Sequence, residues 1–107
     1  MCSMNDLYSA VADPTRRRLL DRLGDKGGLT LAQLCEGMGM TRQGVAKHLR
    51  VLERANLVAS RREGRVKRHY LNPVPLSQIV NRWLHKFEDV RLQELAGFRP
   101  GAVQAED

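Results

Sequence analysis

The stretch TRQGVAKHLRVLERANLV, residues 41–58, carries two opposed stripes, and that opposition constrains the fold more than any other feature of the chain. Wound as a helix at about 100° per residue with Val45 at zero, Leu49 falls at about 40° and Leu52 at about 340°, one narrow apolar face. Arg50, Gln43, Arg54 and Lys47 fall at roughly 140° to 200°, on the opposite side. Such a helix must set its apolar face on a core and turn its cationic face outward. Many charged helix faces are simply solvated, so the remainder of the chain has to decide what this one meets.

The charge distribution argues for a partner. From Thr41 to Tyr70, nine basic residues (Arg42, Lys47, Arg50, Arg54, Arg61, Arg62, Arg65, Lys67 and Arg68) stand against Glu53 and Glu63, a segment charge of +7. The whole chain carries +6, so everything outside that segment sums to −1. A cationic excess confined to one region implies a polyanionic partner. At 107 residues the chain is one small domain with a modest core, which gains from burial against a second chain. No apolar run approaches the roughly 20 residues that cross a bilayer. The opening MCSMNDLYSA has neither the basic nor the apolar region of a signal peptide. A cytoplasmic protein with no membrane partner is therefore expected, its two cysteines reduced.

Read along the chain, the pattern is mainly helical. NDLYSAVA gives a short amphipathic helix with Leu7, Tyr8 and Val11 on one side. In ADPTRRRLLDRL, Asp13 is a good N-cap, Pro14 suits the first helical position, and Leu19, Leu20 and Leu23 supply the apolar face. GDKGG is a break. TLAQLCEGM reads as a third helix, with a Thr30/Gln33 capping box and Leu31, Leu34, Cys35 and Met38 at helical spacing. A short connection through Gly39 and Met40 leads to Thr41, the cap of a helix running to about Ala55, which is helix-turn-helix spacing. LVASRREGRVKRHYL reads as a hairpin, Leu57 to Arg62 and Val66 to Leu71 about a turn at Gly64. NPVP interrupts, and a long helix from about Leu76 to Leu95 follows. Leu76, Val80, Trp83, Phe87 and Val90 form a stripe on it, larger than so small a core can use, which predicts a dimer seam as well as internal packing. Residues 1–98 are thus expected to form a winged helix-turn-helix domain, and 99–107 a flexible tail.

The segments VADPTRRRLLDRL, TRQGVAKHLRVLERANLV and SRREGRVKRHYLNPVPL resemble the ArsR family of bacterial transcriptional repressors, in the family's order, over about Leu7 to Leu76. RWLHKFE is similar to a subgroup often encoded beside START-like ligand-binding proteins. The resemblance implies a homodimer joined by the first and last helices, bound to double-stranded DNA. The helix from Thr41 would enter the major groove. Gln43 can pair bidentately with adenine and Arg42 with guanine, while Lys47, Arg50 and Arg54 meet phosphates. Thr41, as N-cap, leaves N–H groups for a phosphate. Arg61, Arg62, Arg65 and Lys67 would form the wing. His48 matches a common family histidine and has a packing or single-phosphate role. A twofold dimer requires a palindromic operator with half-sites about one helical turn apart.

Two positions depart from the family's pattern. Gly44 stands where relatives carry a small residue with a Cβ, at a cost of about 0.8–1 kcal/mol in a helix interior. Arg68 stands where the subgroup carries an apolar residue, which leaves open whether His69 is buried.

The Cys-x-Cys metal site of many relatives would start the third helix, where this chain has Thr30 and Ala32. Cys35 reads as a small core hydrophobe, and Cys2 is remote from it. In the last helix His85, Glu88 and Asp89 give part of a metal-ligand spacing, but solvated charge accounts for them equally. Neither a metal nor a cofactor is expected, and the effector stays unassigned. No phosphate loop, G-x-S-x-G or H-E-x-x-H is present, so the chain reads as no enzyme. The competing readings are a thiol- or metal-responsive repressor of the same fold and a protein-interaction module using the long helix. An RNA-binding domain would need exposed aromatics in the basic region, where Tyr70 stands alone.

Overall fold

Pro14 cannot donate a backbone hydrogen bond, and Asp13 before it is extended, so the first two helices must be separate. The computed structural model describes residues 4–86, with side chains over 5–84. The elements run α1 (Met4–Ala12), α2 (Pro14–Asp25), α3 (Leu31–Cys35), α4 (Arg42–Arg54), β1 (Val58–Glu63), β2 (Val66–Leu71) and α5 (Val74–Lys86). Residues up to Leu76 make one compact unit, and a second begins at Ser77. The 98/99 boundary expected from the sequence lies outside the described residues. Among the described residues no helix is long and apolar enough to cross a membrane.

The core of the first unit is built from the apolar faces of four helices. Leu19, Leu34, Val45 and Leu52 are fully buried, joined by Leu23, Leu49 and Leu57. Leu7, expected at a dimer seam, is instead buried in the chain's own core with Ala10, because the amphipathic face of α1 is turned inward. Tyr8 stays exposed and Val11 half-buried.

Arginines of α2 close the helix ends around it. Arg16 Nε donates to the Ala10 carbonyl at 2.8 Å and its Nη2 to Ser9 O at 2.9 Å. Arg17 Nη1 donates to Val11 O and Ala12 O at 2.8 and 2.9 Å. On the other side Arg22 Nη1 reaches Leu34 O at 2.7 Å and Arg18 Nη2 reaches Gly37 O at 3.2 Å. The carbonyls at the ends of α1 and α3, orphaned by helix termination, are thereby satisfied by cations.

The third helix is shorter than its apolar spacing predicts. The capping box forms as expected, Gln33 N to Thr30 Oγ1 at 3.2 Å and Thr30 N to Gln33 Oε1 at 2.8 Å. The helix nevertheless stops at Cys35, because Glu36 is extended and Gly37 is left-handed at φ +75°. Met38 is buried from a turn, and Cys35, expected in the core, is half-buried. The connection to α4 therefore spans 36–41.

The end of α4 aims the hairpin. Asn56 adopts φ +63°, Asn56 N donates to Glu53 O and Leu57 N to Leu52 O, both at 2.9 Å. That pair of bonds is a Schellman motif, sealed by the buried Leu52 and Leu57. The strands then pair from Val58↔Leu71 to Glu63↔Val66 around Gly64-Arg65. A two-stranded ribbon is marginal alone. This one is fastened by the glycine break before α3. Gly28 N donates to His69 O at 2.8 Å, His69 N to Leu29 O at 2.9 Å, and Arg68 Nη1 to Gly28 O at 2.9 Å. Glycine is required there: Gly28 has φ +81°, and a Cβ on Gly27 would lie 3.1 Å from the Tyr70 ring. His69 is thus buried, 4% exposed, with Nδ1 donating to Leu29 O at 2.9 Å.

α5 begins at Val74, two residues before the expected start, since a proline at its second position sacrifices no helical bond, and it continues into the second unit from Ser77. Val80 (54% exposed), Trp83 (52%) and Leu84 (61%) lie open on it. Leu76, also of the expected stripe, is half-buried, and Phe87 and Val90 lie outside the described residues.

Asp13 provides a test of the cap. Its carboxylate accepts the Arg16 backbone N–H at 3.0 Å, and that bond, helped by the charge of Arg16, holds its pKa below the ordinary 3.8. Asp13→Ala should cost about 1 kcal/mol at neutral pH. A depressed pKa contributes stability above the unfolded value and loses it as acid protonates the folded carboxylate. The difference between wild type and variant in urea denaturation should therefore shrink below about pH 4.

Candidate nucleic-acid interface

Thr41 starts α4 by accepting the Gly44 N–H on Oγ1 at 3.0 Å. Once the helix is set, Val45, Leu49 and Leu52 are buried, and Arg42, Gln43, Lys47, Arg50 and Arg54 are all exposed. The two stripes read in the sequence are therefore two physical faces, one in the core and one in solvent. Gly44 has a local cause. A Cβ there would lie 2.8 Å from Met40 Cε and 3.2 Å from Thr41 Oγ1, so the missing side chain makes room for the preceding turn and the cap.

His48 is half-buried and bonded. Arg16 Nη1 lies 3.2 Å from its Nδ1. A guanidinium can only donate, so Nδ1 accepts and the neutral ring carries its proton on Nε2. The same arginine holds the end of α1, so one side chain ties α1, α2 and α4 together. Sequence reading took only the leucines from TRRRLL. The available signal was a run of arginines one turn into a helix that directly follows another helix's end.

On the hairpin Arg61, Arg62, Arg65 and Lys67 are exposed. The two carboxylates of the basic segment are engaged. Glu63 Oε1 accepts from Arg68 Nε at 2.9 Å, and Glu53 Oε2 lies 3.4 Å from Lys67 Nζ. The second pair is an ion pair without hydrogen-bond geometry, since Glu53 Oε2 has no hydrogen-bond partner. Exposed pairs of this kind contribute about 0–1 kcal/mol, but they decide which cations are left to act outward. Arg61, Arg62 and Arg65 have no ion-pair partner among the described residues. Arg68, the departure from the family's pattern, is used internally on Glu63 and Gly28.

The outer face of α4 and the hairpin thus both expose cations, with no group of three or more metal-ligating side chains among the described residues. Comparisons with known proteins agree with this arrangement. A family model described as "Helix-turn-helix domain" matches residues 11–61. The HTH-type transcriptional regulator YuzN of Bacillus subtilis is 38% identical over 84 residues, 73% of this chain and 91% of the relative. The transcriptional repressor SdpR of the same organism is 33% identical over 85 residues, covering 78% of this chain and 91% of its own. A crystal structure of an ArsR family transcriptional regulator superposes with TM-score 0.68 at 30% identity, over 90% of this chain and 92% of that one. With relatives of this identity spanning nearly their full lengths, the chain belongs to the ArsR family of helix-turn-helix transcriptional regulators.

Proposed function

We propose that two copies of this chain repress transcription by binding a palindromic operator, α4 in each major groove and each hairpin on the flanking backbone. The carrying observation is the division of α4, with Val45, Leu49 and Leu52 locked in the core and Gln43, Lys47, Arg50 and Arg54 outside. In this reading Gln43 and Arg42 reach base edges from the helix N-terminus, while Lys47, Arg50 and Arg54 meet phosphates. Thr41 accompanies them at the cap. His48 offers its Nε2–H to a phosphate. Arg61, Arg62 and Arg65 follow the backbone into the minor groove, and Lys67 joins them by leaving Glu53. SdpR, a repressor, supports the sign of regulation. The site of action is the cytoplasm, where the operator lies, and the chain acts by binding, not by catalysis.

The dimer reading rests on α5. Four large apolar residues of α5 are more than half exposed, Val74, Val80, Trp83 and Leu84, and the last three lie within five positions of one another, the mark of an association surface. Tyr8 of α1, 38% exposed, belongs to the same reading. A twofold pair presents two α4 helices, so the half-sites should lie about 34–36 Å apart.

Lys47→Ala should weaken operator binding, lower the slope of log affinity against log salt by about one unit and leave the melting temperature unchanged. Leu49→Ala, on the opposite face, should cost about 2–5 kcal/mol of stability. An unchanged salt slope in Lys47→Ala would mean that the wrong face has been assigned.

Trp83→Asp should convert the dimer to monomer in light scattering and abolish footprints on both half-sites, although it touches no DNA. A wild type that is monomeric yet protects a full palindrome contradicts the dimer reading. Zinc, cadmium and arsenite at micromolar levels should not release the operator, because Thr30 and Ala32 offer no thiolate. The check is a mobility shift with each metal.

A further inference from the structure

Between the start of α3, one flank of α4 and the hairpin lies a cleft of about 530 Å³. Its walls differ in chemistry. Leu31, Ala32, Ala46, Leu49 and Val66 line it with apolar surface, and Arg42, Arg50, Arg65 and Lys67 bring cations to it. Thr30, Glu53 and His69 complete it. Lys67 and Glu53 offset each other at 3.4 Å, so the remaining charge is that of the three arginines. His69 is 4% exposed, its Nδ1 spent on Leu29 O, and Nε2 has no protein partner among the described residues.

A DNA backbone would use the arginines and little else. Phosphate and sugar are hydrophilic and gain nothing from five apolar residues or from an imidazole acceptor sunk among them. The volume lies within the roughly 300–1,000 Å³ of small-molecule sites and exceeds what one phosphate fills. Apolar surface combined with convergent polar groups is what a small-molecule site offers.

We propose that this cleft is an effector site for a small organic anion with an apolar body, which releases the operator by occupying Arg42, Arg50 and Arg65. The apolar body lies on Ala32, Ala46 and Val66, and a hydroxyl on it pairs with His69 Nε2, the acceptor of the neutral ring. The acid group takes the arginines, which cannot neutralise a phosphate at the same time. Release is by direct competition and needs no change of fold. The proposal rests on the reading of these arginines as DNA contacts.

Anilinonaphthalene sulfonate, an apolar aromatic anion, is the probe. Operator binding by the wild-type dimer is measured first without it, then with it, then with sodium sulfate at equal ionic strength. At a free probe concentration ten times its dissociation constant, competition should weaken operator binding about elevenfold. Sulfate should produce only the loss due to screening. In methyl spectra of the wild type, Ala32, Ala46 and Val66 should shift on titration with the probe while Val80 and Leu84 of α5 stay in place. Ala32→Trp, which fills the cleft from an exposed position, should bind the operator and resist release by the probe. Shifts confined to α5, or a loss no greater than that caused by sulfate, would overturn the effector site while leaving the DNA reading intact. Failure of the probe-free protein to bind any operator would overturn the DNA reading and the proposal together.

Discussion

The arrangement depends on cations of one helix meeting carbonyls of two others. Helix termination leaves C=O groups without partners, and burying an end without satisfying them is costly. Here α2 carries the solution on its polar face. Arg16 and Arg17 take the end of α1, Arg18 and Arg22 the end of α3 and the turn after it. Charge-assisted bonds of this kind are stronger than neutral ones and favoured by the negative end of the helix dipole. Because Arg16 also reaches His48, α4 is referenced to the end of α1 through one planar group. Positioning and outward charge are thus supplied by different arginines, those of α2 and Arg68 bonded to carbonyls within the chain, and Arg61, Arg62 and Arg65 of the hairpin without an ion-pair partner among the described residues.

Features whose cause is local could be read directly from the sequence. The faces of α4 follow from a 3.6-residue period, the Asp13-Pro14 start from cap chemistry, the Thr30/Gln33 box from a spacing of three, and the hairpin from apolar and β-branched ends about Glu63-Gly64. Features whose cause lies far along the chain were hidden. The bond from Arg16 to His48 joins residues 32 apart, and that from His69 to Leu29 joins residues 40 apart. Apolar spacing overstated α3 because it is blind to the left-handed Gly37 that ends it. Helical spacing identifies a face and not what the face packs on, so Cys35 is only half-buried and Leu7 lies in the chain's own core. The cleft beside α4 is formed by three separate segments and has no sequence signature at all.

Within the basic region the two acidic residues discriminate among cations. Glu63 takes Arg68 and Glu53 takes Lys67, so hairpin cations of equal formal charge are unequal in availability. Lys67 stands between two uses. Turning it to a phosphate leaves a largely buried carboxylate oxygen without its counter-charge. Net charge, the first clue to a polyanionic partner, therefore overstates the charge that a partner would meet.

The bridge between Leu29 and His69 has a consequence for the sidedness of the hairpin. Successive residues of a strand face opposite ways, so a slip of one position would exchange His69 for Arg68 or Tyr70 on the inner side and turn every outward arginine about. The ribbon's own pairing, short and mostly solvated, resists such a slip weakly. What prevents it is a backbone contact to a glycine-rich segment that closes α2, itself no part of the hairpin. The handedness of the cationic surface is therefore held by a residue pair that carries no charge outward, and GDKGG, read as punctuation, acts as the index mark against which the strands are aligned.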